Sequence, residues 1–175
     1  PAVWIHPTES AKSLLLTTRK LGGAAIFDFN LNWMQSLVPE TIGALRLNNV
    51  DVLYGFSLQD ADVDLAVFSD RVADTLYIYR LDANSTTNVL TLVSADLKSP
   101  IFPGSIGGDD TAYGLCLYRS PLSGKHYAFV SREGLSTVAQ LELFDAGGGQ
   151  VGWRRVRTIA LPDTRQVEGM VADQE

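Results

Sequence analysis

Short apolar segments separated by turn-forming residues run along the whole chain, and this pattern predicts β-strands. In residues 75–81, apolar, β-branched and aromatic side chains fill a run of strand length with period-two alternation. Glycine pairs or triplets at 22–23, 107–108 and 147–149 interrupt the apolar runs. The predicted strands are residues 13–18, 24–29, 50–58, 63–69, 75–81, 89–93, 113–118, 126–131, 138–144 and 154–161.

Helical signals are weak throughout the sequence. No window of about 12 residues combines an apolar stripe of helical spacing with capping residues at its ends. Only residues 39–47 have a composition that suits a short helical turn. The pattern therefore predicts an all-β protein.

A repeated layout predicts how these strands are arranged. Each copy has an apolar strand that ends in Ser or Thr, a polar pair, a tight turn and a second strand. The copies recur at intervals of about 50–60 residues, which is close to the length of a four-stranded propeller blade with its loops. They occupy residues 15–28, 66–79 and 128–145. We therefore predict about three blades of a β-propeller.

Three blades are too few to close a ring, because propellers have about four to eight. An open arc of blades would leave long strand edges without partners, which favours aggregation. We therefore expect residues 1–175 to be a partial propeller domain, a fragment of a longer chain. We also expect the fragment alone to be inactive.

Composition and charge narrow the class of protein further. The 175 residues are 46% apolar and 19% charged, which excludes disordered and collagen-like chains. The net charge is −6, so the sequence predicts no basic face for nucleic acid. No apolar run approaches the roughly 18 residues that span a membrane. Cys116 is the only cysteine, which excludes intrachain disulfides and favours a small buried side chain.

Three cations occupy the same position in the three copies of the repeat. Lys20, Arg71 and Arg132 each follow closely on the Ser or Thr that ends a strand, so we expect them on one rim of the propeller. Such a cluster can bind a polyanion through charge-assisted hydrogen bonds. The alternative is that all three are solvated turn residues.

Carboxylates accompany these cations along the chain. Asp70 and Glu133 are their immediate neighbours, and Glu168 and Asp173 lie in a segment that we interpret as a final strand. Hard cations such as Ca²⁺ take six to eight oxygen ligands. The sequence contains no GxSxG, HExxH, Walker or GxGxxG motif. A mixed ring of carboxylates and cations is what a metal-bridged phosphate site requires, with the ligands converging from separate blades.

The chain resembles the β-propeller phytases, the calcium-dependent alkaline phytate hydrolases. The resemblance extends over the whole chain and keeps the order of the family's motifs. The matching segments are PAVWIHP at 1–7, LNNVDV at 47–52, SDR at 69–71, YGLCLY at 113–118, SGKHYA at 123–128 and EGMVAD at 168–173. It implies a six-bladed propeller and Ca²⁺-dependent hydrolysis of phytate, in which a metal-activated water attacks phosphorus directly.

The resemblance also assigns substrate-binding roles. Lys20, Arg71 and Arg132 match the family's phosphate-binding cations, with Arg132 in place of a more usual Lys. Tyr113 matches a tyrosine that contacts the substrate. These four residues are the predicted substrate-binding set.

The same resemblance assigns the catalytic and metal-binding positions. Glu133 and Glu168 match carboxylates at the calcium-lined catalytic site, and Glu168 also matches a direct metal ligand. Pro1 and Val50 match positions whose backbone carbonyls hold a structural calcium ion. The implied cofactor is therefore Ca²⁺.

Three positions depart from the family pattern. Leu53 stands where many relatives have Arg, Arg119 where many have His, and Gln174 where many have Asp. These departures keep two alternatives open: a non-catalytic propeller that serves as a binding or interaction module, and another calcium-dependent propeller hydrolase of the lactonase type.

The resemblance implies the remaining properties. The expected partner is a small molecule, calcium phytate or another inositol phosphate, with no nucleic acid and no membrane. The full-length protein is expected to be a secreted or periplasmic monomer. The substrate carries about −9 to −12 charge, so bound Ca²⁺ would be needed to reverse the field of an acidic protein.

Overall fold

The computed structural model describes residues 1–19, 22–37, 45–82, 84–85, 88–104, 109–162 and 165–173, and these form three antiparallel four-stranded sheets. Sheet I contains β1 (Ala2–Trp4), β2 (Leu14–Thr18), β3 (Ala24–Asp28) and β4 (Trp33–Leu37). Sheet II contains β5 (Leu47–Leu58), β6 (Ala61–Asp70), β7 (Thr75–Leu81) and β8 (Leu90–Leu92). Sheet III contains β9 (Ala112–Arg119), β10 (His126–Arg132), β11 (Thr137–Gly147) and β12 (Gln150–Ala160). A short 3₁₀ helix spans Ser10–Lys12.

Each sheet is a meander whose strands pair in sequence order. The first strands of the three sheets lie side by side, with β5 packed against both β1 and β9. This is the arrangement of three successive propeller blades. The predicted repeat is confirmed as the second and third strands of each blade, since β2 pairs with β3, β6 with β7 and β10 with β11.

All ten predicted strands are present, with ends that differ by a few residues, but two further strands are not predicted. β1 has only three residues, and β4 contains Gln35 and Ser36, so neither has a run of apolar positions long enough to identify it. The 3₁₀ turn is also not predicted. Most of the segment 39–47, with its predicted helical turn, lies outside the described residues; Leu45 is buried and Leu47 begins β5.

Sheet II is buried on both faces because it lies between the other two blades. Along β6, Leu65 and Val67 face a core shared with sheet III, whereas Ala66 and Phe68 face a core shared with sheet I. β7 alternates in the same way, and its Thr75–Leu81 segment is buried at every position except Arg80. The near-continuous apolar run seen in the sequence follows from this burial on two sides.

Buried and half-buried aspartates connect neighbouring blades by accepting hydrogen bonds from backbone and side-chain N–H groups. Asp51 on β5 accepts a bond from the Leu117 N–H of β9, at 2.7 Å. Asp64 on β6 accepts from the Trp4 Nε1–H of sheet I, at 2.8 Å. Asp74 is 3% exposed and accepts from two backbone N–H groups of the segment that leads into sheet III and of β9 itself. These contacts provide acceptors for donors that no sheet ladder satisfies.

Among the described residues there is no helix with the length and apolar character needed to cross a bilayer.

The β3–β4 turn holds a strained residue. Leu31 has φ of 65° and its side chain is 70% exposed, so its left-handed backbone is not compensated by burial. We expect Leu31→Gly to raise the free energy of unfolding by about 0.5–1 kcal/mol, because glycine adopts this conformation without steric cost. Urea titration of both proteins measures the difference, and an unchanged or lower midpoint would contradict the prediction.

Candidate functional site

A cavity of about 450 Å³ opens where the first strands of the blades meet the turns that follow their second strands. Its volume lies within the range of small-molecule sites. Three residues predicted from the sequence, Arg71, Tyr113 and Glu168, lie together in its wall. The other lining residues are Thr18, Leu47, Asn48, Asn49 and Gly169.

Arg71 stands in the turn after β6 and is 4% exposed. Its backbone N–H donates to the carbonyl of Arg46 at 3.1 Å, which fixes the turn against the start of β5. Its guanidinium forms an ion pair with Glu133 and lies 5.2 Å from the centroid of the Tyr113 ring. A guanidinium that is buried against an aromatic ring keeps its planar N–H donors in a fixed direction, which favours binding of a phosphate.

Asp70, which we expected beside Arg71 as a rim carboxylate, has a different role. Its side chain is fully buried. One oxygen accepts from the Arg46 N–H at 2.8 Å and the other from the Ala73 N–H at 2.7 Å. Both oxygens therefore hold the backbone around Arg71, and the expectation that Asp70 contributes a carboxylate to the rim was wrong.

Glu133 contributes the carboxylate nearest to Arg71. Its backbone N–H donates to the Thr111 carbonyl at 2.9 Å, which fixes the turn after β10. One carboxylate oxygen pairs with Arg71, whereas Oε2 is buried and has no hydrogen-bond partner among the described residues. A buried carboxylate oxygen with open lone pairs is the kind of donor that a hard cation takes.

Arg132 directly precedes Glu133 in the chain, but its side chain does not line this cavity. Its Nε–H donates to the Asp110 carbonyl at 2.7 Å, and its guanidinium lies 5.5 Å from the centroid of the Phe102 ring. The structure thus brings Arg71, Tyr113, Glu133 and Glu168 together and leaves Arg132 at the edge of the group. Lys20, the third predicted cation, lies outside the described residues.

Tyr113 is fixed by polar side chains from sheet II. Its carbonyl accepts from Ser69 Oγ at 2.8 Å and from Asn48 Nδ2 at 3.1 Å. The carbonyl of Asn48 in turn accepts from Thr18 Oγ1 of sheet I, at 2.9 Å. One hydrogen-bonded chain therefore connects all three blades beneath the cavity.

Glu168 lies in a segment, 165–173, that has no strand assignment, so the prediction of a final strand was wrong. The last strand, β12, ends at Ala160. The Glu168 carboxylate is exposed and accepts a hydrogen bond from Gln166 Nε2 at 2.8 Å. Glu168 also lines the cavity, so a ligand there can reach its carboxylate.

A second cavity of about 840 Å³ adjoins the first and shares four of its lining residues. Pro1 and Val50, the predicted backbone ligands of a structural calcium ion, both line it. Burial raises the pKa of Asp51 in its wall, although backbone N–H groups oppose the shift. Two departures from the family pattern, Leu53 and Arg119, line this cavity, and Gln174 lies outside the described residues.

The described residues offer part of a calcium coordination sphere. Within the described ranges, no three His, Cys, Asp or Glu side chains converge as a metal-binding group. Glu133 and Glu168 supply carboxylate oxygens of the right chemistry, but Ca²⁺ takes six to eight oxygens. These carboxylates are donors of the kind that Ca²⁺ binds, but they supply only some of the ligands that the ion requires.

The buried thiol belongs to the packing between strands. Cys116 is 5% exposed, as the sequence predicts, and burial, with a smaller effect of the Asp51 carboxylate, raises its pKa to about 11. A thiol held in its protonated form is a poor nucleophile. Cys116 therefore takes no part in the candidate site.

The sequence points to the supporting residues of the site unequally. Asn48, Ser69 and Gly114 lie in segments that match the family, but only the structure shows that Asn48 and Ser69 hold Tyr113 and that Gly114 packs against Glu168. Gln166 lies outside the matching segments, and only the fold shows that it donates to Glu168.

Comparison with known proteins agrees with this architecture. The 3-phytase of Bacillus subtilis (strain 168) is 34% identical over 180 aligned residues. The alignment covers 100% of this chain and 42% of that relative, so the chain spans less than half of its length. The model of the family described as Phytase matches residues 1–175. Because this family model matches the whole chain, the chain belongs to the phytase family.

Proposed function

We propose that the protein to which these three blades belong is a Ca²⁺-dependent phosphomonoesterase that hydrolyses phytate or a related inositol phosphate. Family membership supports a phytase activity in general terms. The observation that carries the proposal is the cavity in which a buried arginine, a tyrosine and a carboxylate meet, with a second carboxylate paired to the arginine.

Arg71 has the properties of a phosphate-binding residue. Its charge is buried and its position is fixed by the turn that Asp70 holds. A phosphate that enters the cavity can take guanidinium donors now directed at Glu133, which forms the ion pair in this structure. Tyr113 supports the guanidinium from one face and presents its ring to the cavity. Arg132 and Lys20 are proposed to bind neighbouring phosphates.

Glu133 and Glu168 are proposed to hold the metal at the cavity, and Pro1 and Val50 are proposed to hold a structural ion at the adjoining one. When bound, Ca²⁺ would supply charge neutralisation and acidify a coordinated water. The carboxylates themselves hold the metal's position and accept protons or hydrogen bonds from water. The cations neutralise charge on phosphate oxygens as the P–O bond to the inositol breaks.

The charge balance of the protein supports a role for a divalent cation. The chain has 20 acidic and 14 basic residues, and phytate carries about −9 to −12 charge. At the cavity a single buried cation, Arg71, already pairs with a carboxylate in the described structure. Additional positive charge is therefore required for a polyanion to bind.

The proposal is tested by metal removal. We expect phosphate release from phytate by the full-length protein to require Ca²⁺ and to stop in chelator. We also expect a higher melting temperature with Ca²⁺, because an ion present at a hundredfold excess over its Kd stabilises the folded state by about 2.7 kcal/mol. Phosphate assays and thermal melts measure the two effects.

The outcomes separate the alternatives. A protein that binds inositol phosphates without releasing phosphate would be the non-catalytic module, and hydrolysis of lactones in place of phytate would identify the lactonase type. Undiminished phytate hydrolysis in chelator would refute the role of calcium. The secreted or periplasmic location, the monomeric state and the six-bladed ring stay predictions from the family resemblance.

A further inference from the structure

Gln166 connects two parts of the site that no strand joins. Its Oε1 accepts a hydrogen bond from the Gly134 N–H at 2.9 Å, and its Nε2 donates to Glu168 Oε1 at 2.8 Å. Gly134 belongs to the turn that follows Arg132 and Glu133. One amide side chain therefore sets the distance between the Glu168 carboxylate and the turn that carries the other predicted catalytic glutamate.

Gly114 fixes the backbone of the same segment from the other side. A Cβ atom at this position would lie 2.0 Å from the Glu168 carbonyl oxygen and 2.8 Å from Ser131 Oγ. Both distances are shorter than any normal contact, so only glycine allows the 165–173 segment to lie this close to β9. The Gly114 N–H also donates to Ser131 Oγ at 2.8 Å, which holds β9 against β10 at the contact.

We propose that Gln166 and Gly114 are positioning residues for Glu168: Gly114 sets the depth of its backbone and Gln166 sets the direction of its carboxylate. The inference rests on the proposed function, since it assigns these roles to the metal-binding glutamate of that site. Neither Gln166 nor Gly114 lines the cavity. The neighbouring residues that form its wall are Tyr113, Glu168 and Gly169.

Without the contacts to Gln166 and Gly114, the exposed Glu168 carboxylate would have no fixed orientation. Glu168 stands on a segment without ladder hydrogen bonds, so its own backbone supplies little rigidity. Residues that hydrogen-bond to a metal-binding carboxylate typically change metal affinity by about 10–100-fold when they are lost. Gln166 is the described side chain that donates a hydrogen bond to the Glu168 carboxylate. Its second hydrogen bond, accepted from the Gly134 N–H, fixes the Gln166 side chain itself.

Gln166→Met tests the role of the amide, because methionine keeps the length of the side chain and removes both hydrogen bonds. In the full-length protein we expect the Kd for Ca²⁺, measured by calorimetry, to rise about 10–100-fold. The concentration of Ca²⁺ that gives half-maximal phosphate release should rise in parallel, while KM for phytate at saturating Ca²⁺ stays within about twofold. Gln150→Met, an exposed glutamine on β12, is the matched control and should change neither value.

Two further measurements distinguish positioning from general stability. In metal-free protein, hydrogen exchange of the Gly134 N–H should be faster in Gln166→Met, because it loses its acceptor Gln166 Oε1, with the strands of sheet III unchanged. Gly114→Ala should give the same shift in Ca²⁺ dependence by moving Glu168, because an added Cβ would overlap the Glu168 carbonyl oxygen.

The result that would overturn the inference is specific. Equal calcium affinity and equal exchange in the parent and Gln166→Met would refute the positioning role, even if both hydrolyse phytate. A parent that binds calcium but releases no phosphate would refute the proposed function instead, and the calorimetric comparison would still decide the role of Gln166.

Discussion

Replacing Arg71 with alanine is expected to lower kcat/KM for phytate by about 10²–10³-fold, the effect of losing a preorganised donor to a reacting oxyanion. Arg71 is the one cation that the described structure places in the wall of the cavity. Its turn is held by two hydrogen bonds to Asp70, and its guanidinium rests on Tyr113. No neighbouring described cation is positioned to replace it.

The same substitution also affects stability, so activity is measured on the folded fraction. Removal of the guanidinium leaves the half-buried Glu133 carboxylate without its partner, which typically costs about 3 kcal/mol or more for a buried pair. Arg71→Lys keeps the charge but not the planar donors, so we expect an intermediate kcat/KM and a smaller loss of stability. Arg80→Ala removes an exposed arginine of β7 and is the control. Wild-type kcat/KM in Arg71→Ala would show that phosphate is bound elsewhere.

Asp74→Ala is expected to cause the largest loss of stability, about 3–5 kcal/mol. The carboxylate is buried and accepts from the Phe102 N–H at 2.7 Å and the Ala112 N–H at 2.8 Å. Each orphaned buried donor costs about 1–3 kcal/mol. Alanine must also adopt the φ of 52° that aspartate tolerates better. The melting temperature should fall by about 10 °C for a chain of this size.

Asp96→Ala is the matched control for this prediction. Asp96 also accepts backbone hydrogen bonds, from Lys98 and Ser99, but its carboxylate is exposed. Water can replace those bonds, so we expect a loss of less than about 1 kcal/mol. Equal destabilisation by the two substitutions would show that the connection between sheets II and III adds nothing beyond a local turn.

The strands could be predicted because burial on two faces produces a strong pattern. Residues 75–81 were assigned with the bounds that the structure has, since nearly every position packs against a neighbouring blade. β4 was missed because its exposed Trp33 and its polar residues show no such pattern. The pattern therefore weakened where burial decreased toward the outer edge of sheet I. The predicted strand 154–161 is an exception, because most of its residues are exposed.

The site was predictable where a charged residue recurs at the same point of the repeat. Arg71 was identified in this way, whereas Glu133 was identified from its position beside Arg132 and from the family resemblance; the structure pairs the two side chains. The separate roles of adjacent residues were not predictable: Asp70 and Arg71 differ by one position, yet one faces the backbone of the turn and the other the cavity. The direction of each side chain depends on the backbone path of the turn, which the composition of the segment does not specify.

The unequal burial of the strands has an evolutionary consequence. β7 contacts protein on both faces, so nearly all of its positions can exchange only for residues of similar volume. β8, the outer strand of the same sheet, exposes two of its three residues and tolerates changes of charge and size there. Sequence divergence within this family should therefore collect in the outer strands of each blade. Comparisons weighted toward the inner and middle strands will detect distant members that whole-chain identity overlooks.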